Sequence, residues 1–209
     1  MANEQNFLNA IEKIRVSEKK VNFNQTVDLI INLKEFDVRR EAFNTFISIP
    51  NKIKDKKIAG FFEKNSSIVK TIQKEQFVKY KEKKDIKKLI KEYDSFIANA
   101  KLMPAVATSF GRVLGPVGKM PSPQLGILPS EDDKLVQALV NKINLTVRVR
   151  VKEPSIKIAI AKESMDNEKI AENAIAVYNE ILNKLPRKRD NVRNVKIKLT
   201  MGKPAKVEI

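Results

Sequence analysis

GRVLGPVGKMPSPQLG, residues 111–126, is the stretch from which the organisation of the chain is read. It holds four of the chain's six glycines and three of its nine prolines. Glycine opens backbone conformations barred to other residues, and proline fixes φ and removes a donor. The stretch therefore reads as a long, shaped loop between two regular halves. It carries Arg112 and Lys119 and no acid, which makes an anion a natural neighbour. A phosphate cradle of the GxxxxGK[ST] type ending at Gly118-Lys119 would need glycine at 113 and Ser or Thr at 120. The chain has Val113 and Met120, and no GxGxxG is present. Spacing thus favours a structural loop, with Gly115 and Gly118 shaping it, over a nucleotide site.

Outward from the loop, the chain has 209 residues and a formal net charge of +16, with 41 Lys plus Arg against 25 Asp plus Glu. That excess points to a polyanion, nucleic acid first and an anionic membrane surface second. No apolar run reaches membrane-spanning length, and the first twenty residues lack the hydrophobic region of a signal peptide, so a cytosolic protein without a membrane partner is expected. Cysteine and histidine are both absent. The usual metal ligands and the commonest general base are therefore missing, so neither a metal site nor a cofactor is expected and an enzyme is disfavoured.

Phe7, Leu8, Ile11 and Ile14 recur at helical spacing over residues 4–16. TVDLIINL alternates as a strand over 26–34, and a second strand is read at 45–49. Residues 56–62 (KKIAGFF) read as a buried strand, EQFVKY (75–80) as strand-like, 83–93 as a lysine-rich helix and 95–98 as a short strand. A helical piece over 102–109 leads into the glycine-proline loop. Ser130 with Asp133 marks the start of another helix, whose opening acids Glu131, Asp132 and Asp133 suit the helix dipole. LTVRVRVK (145–152) and SIKIAIA (155–161) alternate, with Glu153-Pro154 read as their hairpin turn. Ser164 is read as the cap of a long helix stopped by Pro186, followed by strands at 196–200 and 205–209.

The two chain ends share alternating strands and few helices, and neither alone can bury a core. The expected architecture is α/β and α+β: a discontinuous α+β domain from residues 1–55 and 147–209, with a Rossmann-like α/β domain, 56–146, inserted between them. Residues 1–55 carry 9 basic and 8 acidic side chains, 147–209 carry 15 and 8, and 56–146 carry 17 and 9, so each domain is about +8. The inserted domain's excess falls mainly between Lys79 and Lys91. The densest cationic run of the other domain spans Arg187 to Lys206. In the strand 196–200, Ile197 and Leu199 face a core while Lys196, Lys198 and Thr200 face out. A basic strand face beside Gly202 suits a shape-reading RNA contact. Phe23, at a turn, offers a stacking surface or packs into the core. The lysine helix reads first as a solvated face.

GRVLGPVGKMPSPQLG resembles the signature of the large-subunit ribosomal stalk protein family, ribosomal protein L-one, whose members read close to GRxLGPRGxMPxPKxG. The chain departs at Val117 and Gln124, where arginine and lysine are common. FNQTVDLIINL (23–33) and LTMGKPAKVEI (199–209) are similar to the family's first RNA-facing region and its C-terminal end, and the resemblance is nearest the archaeal branch. It implies a structural constituent of the large ribosomal subunit that binds ribosomal RNA as a monomer, assists exit-site transfer RNA and represses its own messenger. By motif match it implies RNA-facing roles for Phe23, Thr26, Asp28, Thr200, Met201 and Gly202, and for Asn194 where other members often carry serine. Two alternatives stay open: a nucleotide-dependent enzyme on the inserted domain, and a general basic RNA chaperone.

Overall fold

Period-two burial builds the first sheet. In Thr26–Leu33 the side chains of Val27, Leu29, Ile31 and Leu33 are buried and their neighbours are not. The computed structural model describes residues 4–16, 21–80 and 83–208, with the backbone alone at 78, 79 and 83. In chain order the elements begin with α1 (Glu4–Val16), β1 (Thr26–Leu33), α2 (Val38–Glu41), β2 (Asn44–Ser48), β3 (Ile58–Phe61), β4 (Lys70–Ile72), α3 (Lys83–Glu92) and β5 (Ser95–Asn99). They continue with α4 (Met103–Val117), β6 (Ile127–Leu128), α5 (Asp133–Asn144), β7 (Thr146–Arg150), β8 (Ser155–Lys162), α6 (Asn167–Lys184), β9 (Val192–Leu199) and β10 (Ala205–Val207). The class is mixed α/β. Contacts divide the chain into two compact units, one up to Lys54 and from Leu145 onward, the other Asp55–Asn144.

In the first unit an antiparallel sheet runs in the order β10-β9-β1-β8, and β2 pairs with β7 separately. Helices α1 and α6 cover one face of the four-stranded sheet. Phe7, Ile11 and Ile14 from α1 and Ile170, Ala174, Val177 and Ile181 from α6 join Leu29, Ile31, Ile158 and Ile197 in one core. Each fully buried aliphatic side chain contributes about 1.5–3 kcal/mol, so this packing fixes which sheet face is left for function. Buried Asn173 is satisfied from three sides: its Nδ2 donates to the carbonyls of Asn51 and Ile160, and its Oδ1 accepts from the Asn51 amide.

The second unit has a parallel sheet, β4-β3-β5-β6. α3 and α4 pack on one face, through Ile86, Leu89, Val106, Phe110 and Leu114, while α5 packs on the other through Val136 and Ile143. Both faces being covered, β3 is buried at every position.

Five local expectations are corrected. α4 extends to Val117 and takes in Gly111, Arg112, Gly115 and Pro116, so the first half of the glycine-proline stretch is helix. Val106, Phe110 and Leu114 give it a buried stripe at four-residue spacing, and Gly115 has no Cβ to oppose the ring of Pro116. Gly118, at φ 78°, ends the helix, with its amide donating to Gly115 O and the Lys119 amide to Leu114 O. Residues 74–80 form a 3₁₀ turn that brings Phe77 and Tyr80, three apart, to the same core, and β4 takes the expected strand's place in the sheet. β7 and β8 do not pair as a hairpin. A two-residue hairpin loop needs positive φ at its first residue, here Glu153, which a non-glycine residue adopts only at a cost, and in the type I′ form also at Pro154, whose ring forbids it. Helix α6 starts beyond Ser164, with Asp166 at its N-cap, and Ser164 instead accepts a hydrogen bond from Asn24. Glu131 lies before α5 and brackets loops: its carboxylate accepts from the Glu63 and Lys64 amides and from Asn99 Nδ2. Burial alone would raise the Glu131 carboxyl, but these hydrogen bonds outweigh it and hold it below its ordinary value. Residues 81 and 82 of the lysine run and Ile209, expected to end the last strand, lie outside the described residues.

Candidate nucleic-acid interface

Alternation that sends the apolar side chains of β1, β8 and β9 to the core sends the others to the opposite face, away from α1 and α6, which among the described residues pack on the core side. Register then sets the neighbours. Lys206, Lys196, Ile30 and Lys157 form one row across the four strands. Lys198, Asp28 and Ala159 form the next, and Thr26 with Lys162 the one beyond. On the other side, Asn194, Asn32 and Ser155 are joined side chain to side chain: Asn32 donates to Asn194 at 2.7 Å and the Ser155 hydroxyl donates to Asn32 at 2.8 Å.

Lys162 reaches this face through an irregularity. Strict alternation from Lys157 would turn Ala161 outward and Lys162 inward. The register of β8 against β1 slips by one residue between Val27 and Asp28, so Ile160 and Ala161 are both buried. That β-bulge keeps Lys162 outward, where its Nζ donates to Thr26 Oγ1 at 2.8 Å.

Charge on the face is nearly all of one sign. Lys196 and Lys206 stand directly opposite one another, an arrangement that destabilises a sheet. Among the described residues neither they nor Lys198 form an ion pair within the protein. Asp28 is the acid among them. Burial pushes its carboxyl above the ordinary value, against the opposing charges of Lys198 and Lys162.

The ends of β1 and β9 meet at one corner of the sheet. Thr26 and Thr200 are bonded both ways: the Thr26 amide donates to Thr200 Oγ1 at 3.1 Å, and the Thr200 amide donates to the Thr26 carbonyl at 3.1 Å. The Met201 amide donates to Gln25 Oε1 at 2.9 Å, and the Gln25 amide and carbonyl are held by Glu163. A fixed backbone therefore presents two apolar side chains to solvent, Phe23 at 52% exposure and Met201 at 71%. Core packing for Phe23 is thereby excluded. A Cβ added at Gly202 would lie 3.3 Å from Leu199 Cβ, a tight contact that the turn would have to relax by a few tenths of an ångström to accept.

The sequence-predicted residues thus fall into two groups. Phe23, Thr26, Asp28, Asn194, Lys196, Lys198, Thr200, Met201 and Gly202 all lie on this face or its corner. Arg112, Gly115, Gly118 and Lys119 lie in the other unit, on α4 and its cap. The Lys119 Nζ donates to the carbonyls of Ile90 and Tyr93, at the end of α3. Arg112 is exposed, and nothing lies within 4 Å of a Cβ added at Gly111 or Gly115. Sequence reasoning missed Lys157 and Lys162, which β8 brings beside β1. The alternation of SIKIAIAK carried a signal for Lys157; the bulge hid Lys162. Gln25, buried and holding the Met201 amide, had none. Arg148 of β7 is engaged elsewhere, donating to Asn44 Oδ1 and lying 5.5 Å from the Phe46 ring centre.

The model of the ribosomal protein L1p/L10e family matches residues 14–203. Similar proteins include the large ribosomal subunit protein uL1 of Nanoarchaeum equitans, 39% identical over 210 residues that cover 94% of this chain and 97% of that protein. The uL1 of Methanothermobacter thermautotrophicus is 34% identical, covering 98% of this chain and 99% of its own. That of Thermococcus kodakarensis is 36% identical, covering 98% and 97%.

Proposed function

The chain belongs to the ribosomal protein L1p/L10e family, and from that premise we propose that it holds large-subunit ribosomal RNA on the outward face of the β10-β9-β1-β8 sheet. Membership makes it a structural constituent of the large ribosomal subunit, an RNA-binding ribonucleoprotein component in the cytoplasm, in a family that is not a class of enzymes. No helix among the described residues is long and apolar enough to cross a membrane.

The observation that carries the assignment to this face is the like-charged pair Lys196–Lys206 beside Lys198. Lysines placed directly opposite one another cost stability unless an anion arrives to screen them. The corner supplies what charge alone does not. Bonds from Thr200 and Gln25 fix the backbone that carries Met201, and exposed Phe23 and Met201 offer apolar surface to a base or ribose, the kind of contact by which unpaired RNA is read. Thr200, Met201, Gly202 and Phe23 give shape; Lys196, Lys198, Lys157 and Lys206 give attraction. Asn194 fixes Asn32 on the same surface, and Asp28 tempers the charge at its centre.

The two compact units act as separate domains, a discontinuous α+β domain and an inserted Rossmann-like one, the parallel sheet covered on both faces supporting the second description. The inserted domain meets exit-site transfer RNA, and the RNA face also takes the protein's own messenger; both extend the family resemblance. The protein is not an enzyme, and Val113 and Met120 stand where a phosphate motif needs other residues.

Filter binding with transcribed large-subunit ribosomal RNA tests the assignment. Thr200→Ala and Met201→Ala should each weaken binding while unrelated structured RNA competes poorly against wild type. Undiminished binding by both folded variants would remove the corner from the site, and equal competition by any structured RNA would favour a general chaperone.

A further inference from the structure

Round the β10 edge of the same sheet lies a cavity of about 470 Å³. Four cations line it, Lys34, Arg189, Arg193 and Lys206, with two carboxylates, Asp190 and Glu208. Tyr178 of α6 forms part of its wall. The tyrosine is 1% exposed, and its hydroxyl has no hydrogen-bond partner within the protein. A buried hydroxyl left unpaired costs about 1–3 kcal/mol, so its presence in a cavity wall asks for a ligand. Among the described residues none of the four cations is taken up by an ion pair. Arg187, the neighbouring cation, is: its Nη1 lies 2.6 Å from Glu35 Oε2.

The cavity's frame is set in advance. Glu35 and Lys188 are the two non-glycine residues of positive φ among those described, at 51° and 48°. Each is the chain neighbour of a cavity cation, Lys34 or Arg189. Asn191 holds both turns, its Nδ2 donating to the carbonyls of Lys34 and Glu35 and its Oδ1 accepting from the Arg187 amide.

We propose that this cavity binds a phosphate–ribose unit of an RNA strand, with the Tyr178 hydroxyl donating to a phosphate oxygen and the four cations supplying charge. The inference rests on the reading of the outward sheet face as the RNA surface. Size selects the ligand class. The volume falls within the ~300–1,000 Å³ of small-molecule sites, more than a bare phosphate needs and enough for its sugar as well. The carboxylates fit the same ligand, because ribose hydroxyls are donors and need acceptors, which a free phosphate does not. Position agrees: Lys206 stands in the lysine row of the sheet face, and Asn194 both lines the cavity and accepts from Asn32 on that face. A strand lying on the sheet can therefore continue over its β10 edge. Burial raises the Tyr178 phenol above its ordinary value, against the charge of Arg189, so the hydroxyl keeps the proton it donates.

Filter binding of transcribed large-subunit ribosomal RNA is measured against salt for wild type, Tyr178→Phe and the double variant Arg189→Gln/Arg193→Gln, beside a titration with adenosine 5′-monophosphate followed by phosphorus NMR. Tyr178→Phe should weaken ribosomal RNA binding about tenfold, the lower end for a hydrogen bond to a charged group, while the unfolding temperature of the free protein rises, because the unpaired buried hydroxyl is removed. The arginine pair should lower the salt slope by about 1.4–1.8. Wild-type affinity in both variants overturns the cavity assignment and leaves the sheet face standing. If the mononucleotide binds only when Tyr178 is present while ribosomal RNA binding is unmoved, the ligand is a free nucleotide and the RNA assignment is overturned. A lower unfolding temperature for Tyr178→Phe would mean that the hydroxyl serves the fold, which also overturns it. Failure of wild type to bind ribosomal RNA would bring down the sheet-face reading itself.

Discussion

Replacing Lys196 and Lys198 by glutamine probes the charge of the outward sheet face. Both side chains project from β9 on that face, two residues apart, which places their Cα atoms about 6.5 Å from one another at ~3.3 Å per residue. That is within the ~10 Å screening length at moderate salt, so the pair acts together on one stretch of phosphate backbone. Each neutralised phosphate contributes about 0.7–0.9 to the slope of log affinity against log salt. Loss of both lysines should therefore reduce the slope by about 1.4–1.8. Over a roughly fourfold rise in salt, wild type should lose about tenfold more affinity than the variant. The assay is filter binding of large-subunit ribosomal RNA at a series of potassium chloride concentrations. The control is Lys87→Gln with Lys91→Gln, two exposed lysines of α3 in the other unit. An equal fall in slope for both pairs would show attraction by net charge alone, and an unchanged slope for Lys196→Gln/Lys198→Gln would refute the placement of RNA on this face.

Three further outcomes follow from particular residues. Burial holds the Asp28 proton more tightly in the folded state, so its contribution is most favourable below the unfolded value of about 3.9 and is lost as pH rises through the folded one. Asp28→Asn should thus gain stability relative to wild type as pH rises across that window in denaturant titrations, and a pH-independent difference would count against it. Glu131 runs the other way: its lowered carboxyl stabilises above the unfolded value of about 4.3, and that support is lost as pH falls through the folded one. Glu131→Gln should cost about 1–2 kcal/mol and speed hydrogen exchange at the Glu63 and Lys64 amides; unchanged exchange there would contradict the bracket. On α4, Gly111→Ala has open space and should stabilise by about 0.5–1 kcal/mol, whereas Gly118→Ala, at φ 78°, should destabilise by about 1 kcal/mol. Thermal unfolding of the two variants reads this, and a shift in the same direction for both would be inconsistent with the cap.

Much of the face was legible because burial enforces alternation. Val27, Leu29, Ile31 and Leu33 fix one side of β1 and thereby the exposure of Thr26, Asp28 and Asn32, and the same argument gave Lys196 and Lys198. What escaped were features set by partners rather than by period. Lys162 is outward because of a register slip that a single strand cannot announce. Residues 75–80 alternate like a strand, yet Phe77 and Tyr80 reach one core through a 3₁₀ turn. Gly111–Gly118 read as loop because glycine and proline outweighed the stripe Val106, Phe110, Leu114 that holds the helix together. Three of the four cations of the cavity beside Tyr178 lie in the cationic run from Arg187 to Lys206, but the cavity itself had no sequence signal, since it arises where α6, β9 and the turns at Glu35 and Lys188 meet.

The most direct test of the RNA face is a lysine-reactivity footprint, read residue by residue by mass spectrometry, with and without large-subunit ribosomal RNA. Lys157, Lys196, Lys198 and Lys206 should lose reactivity on binding while Lys87 and Lys91 keep theirs. Protection of the α3 lysines with the four sheet lysines left reactive would contradict it.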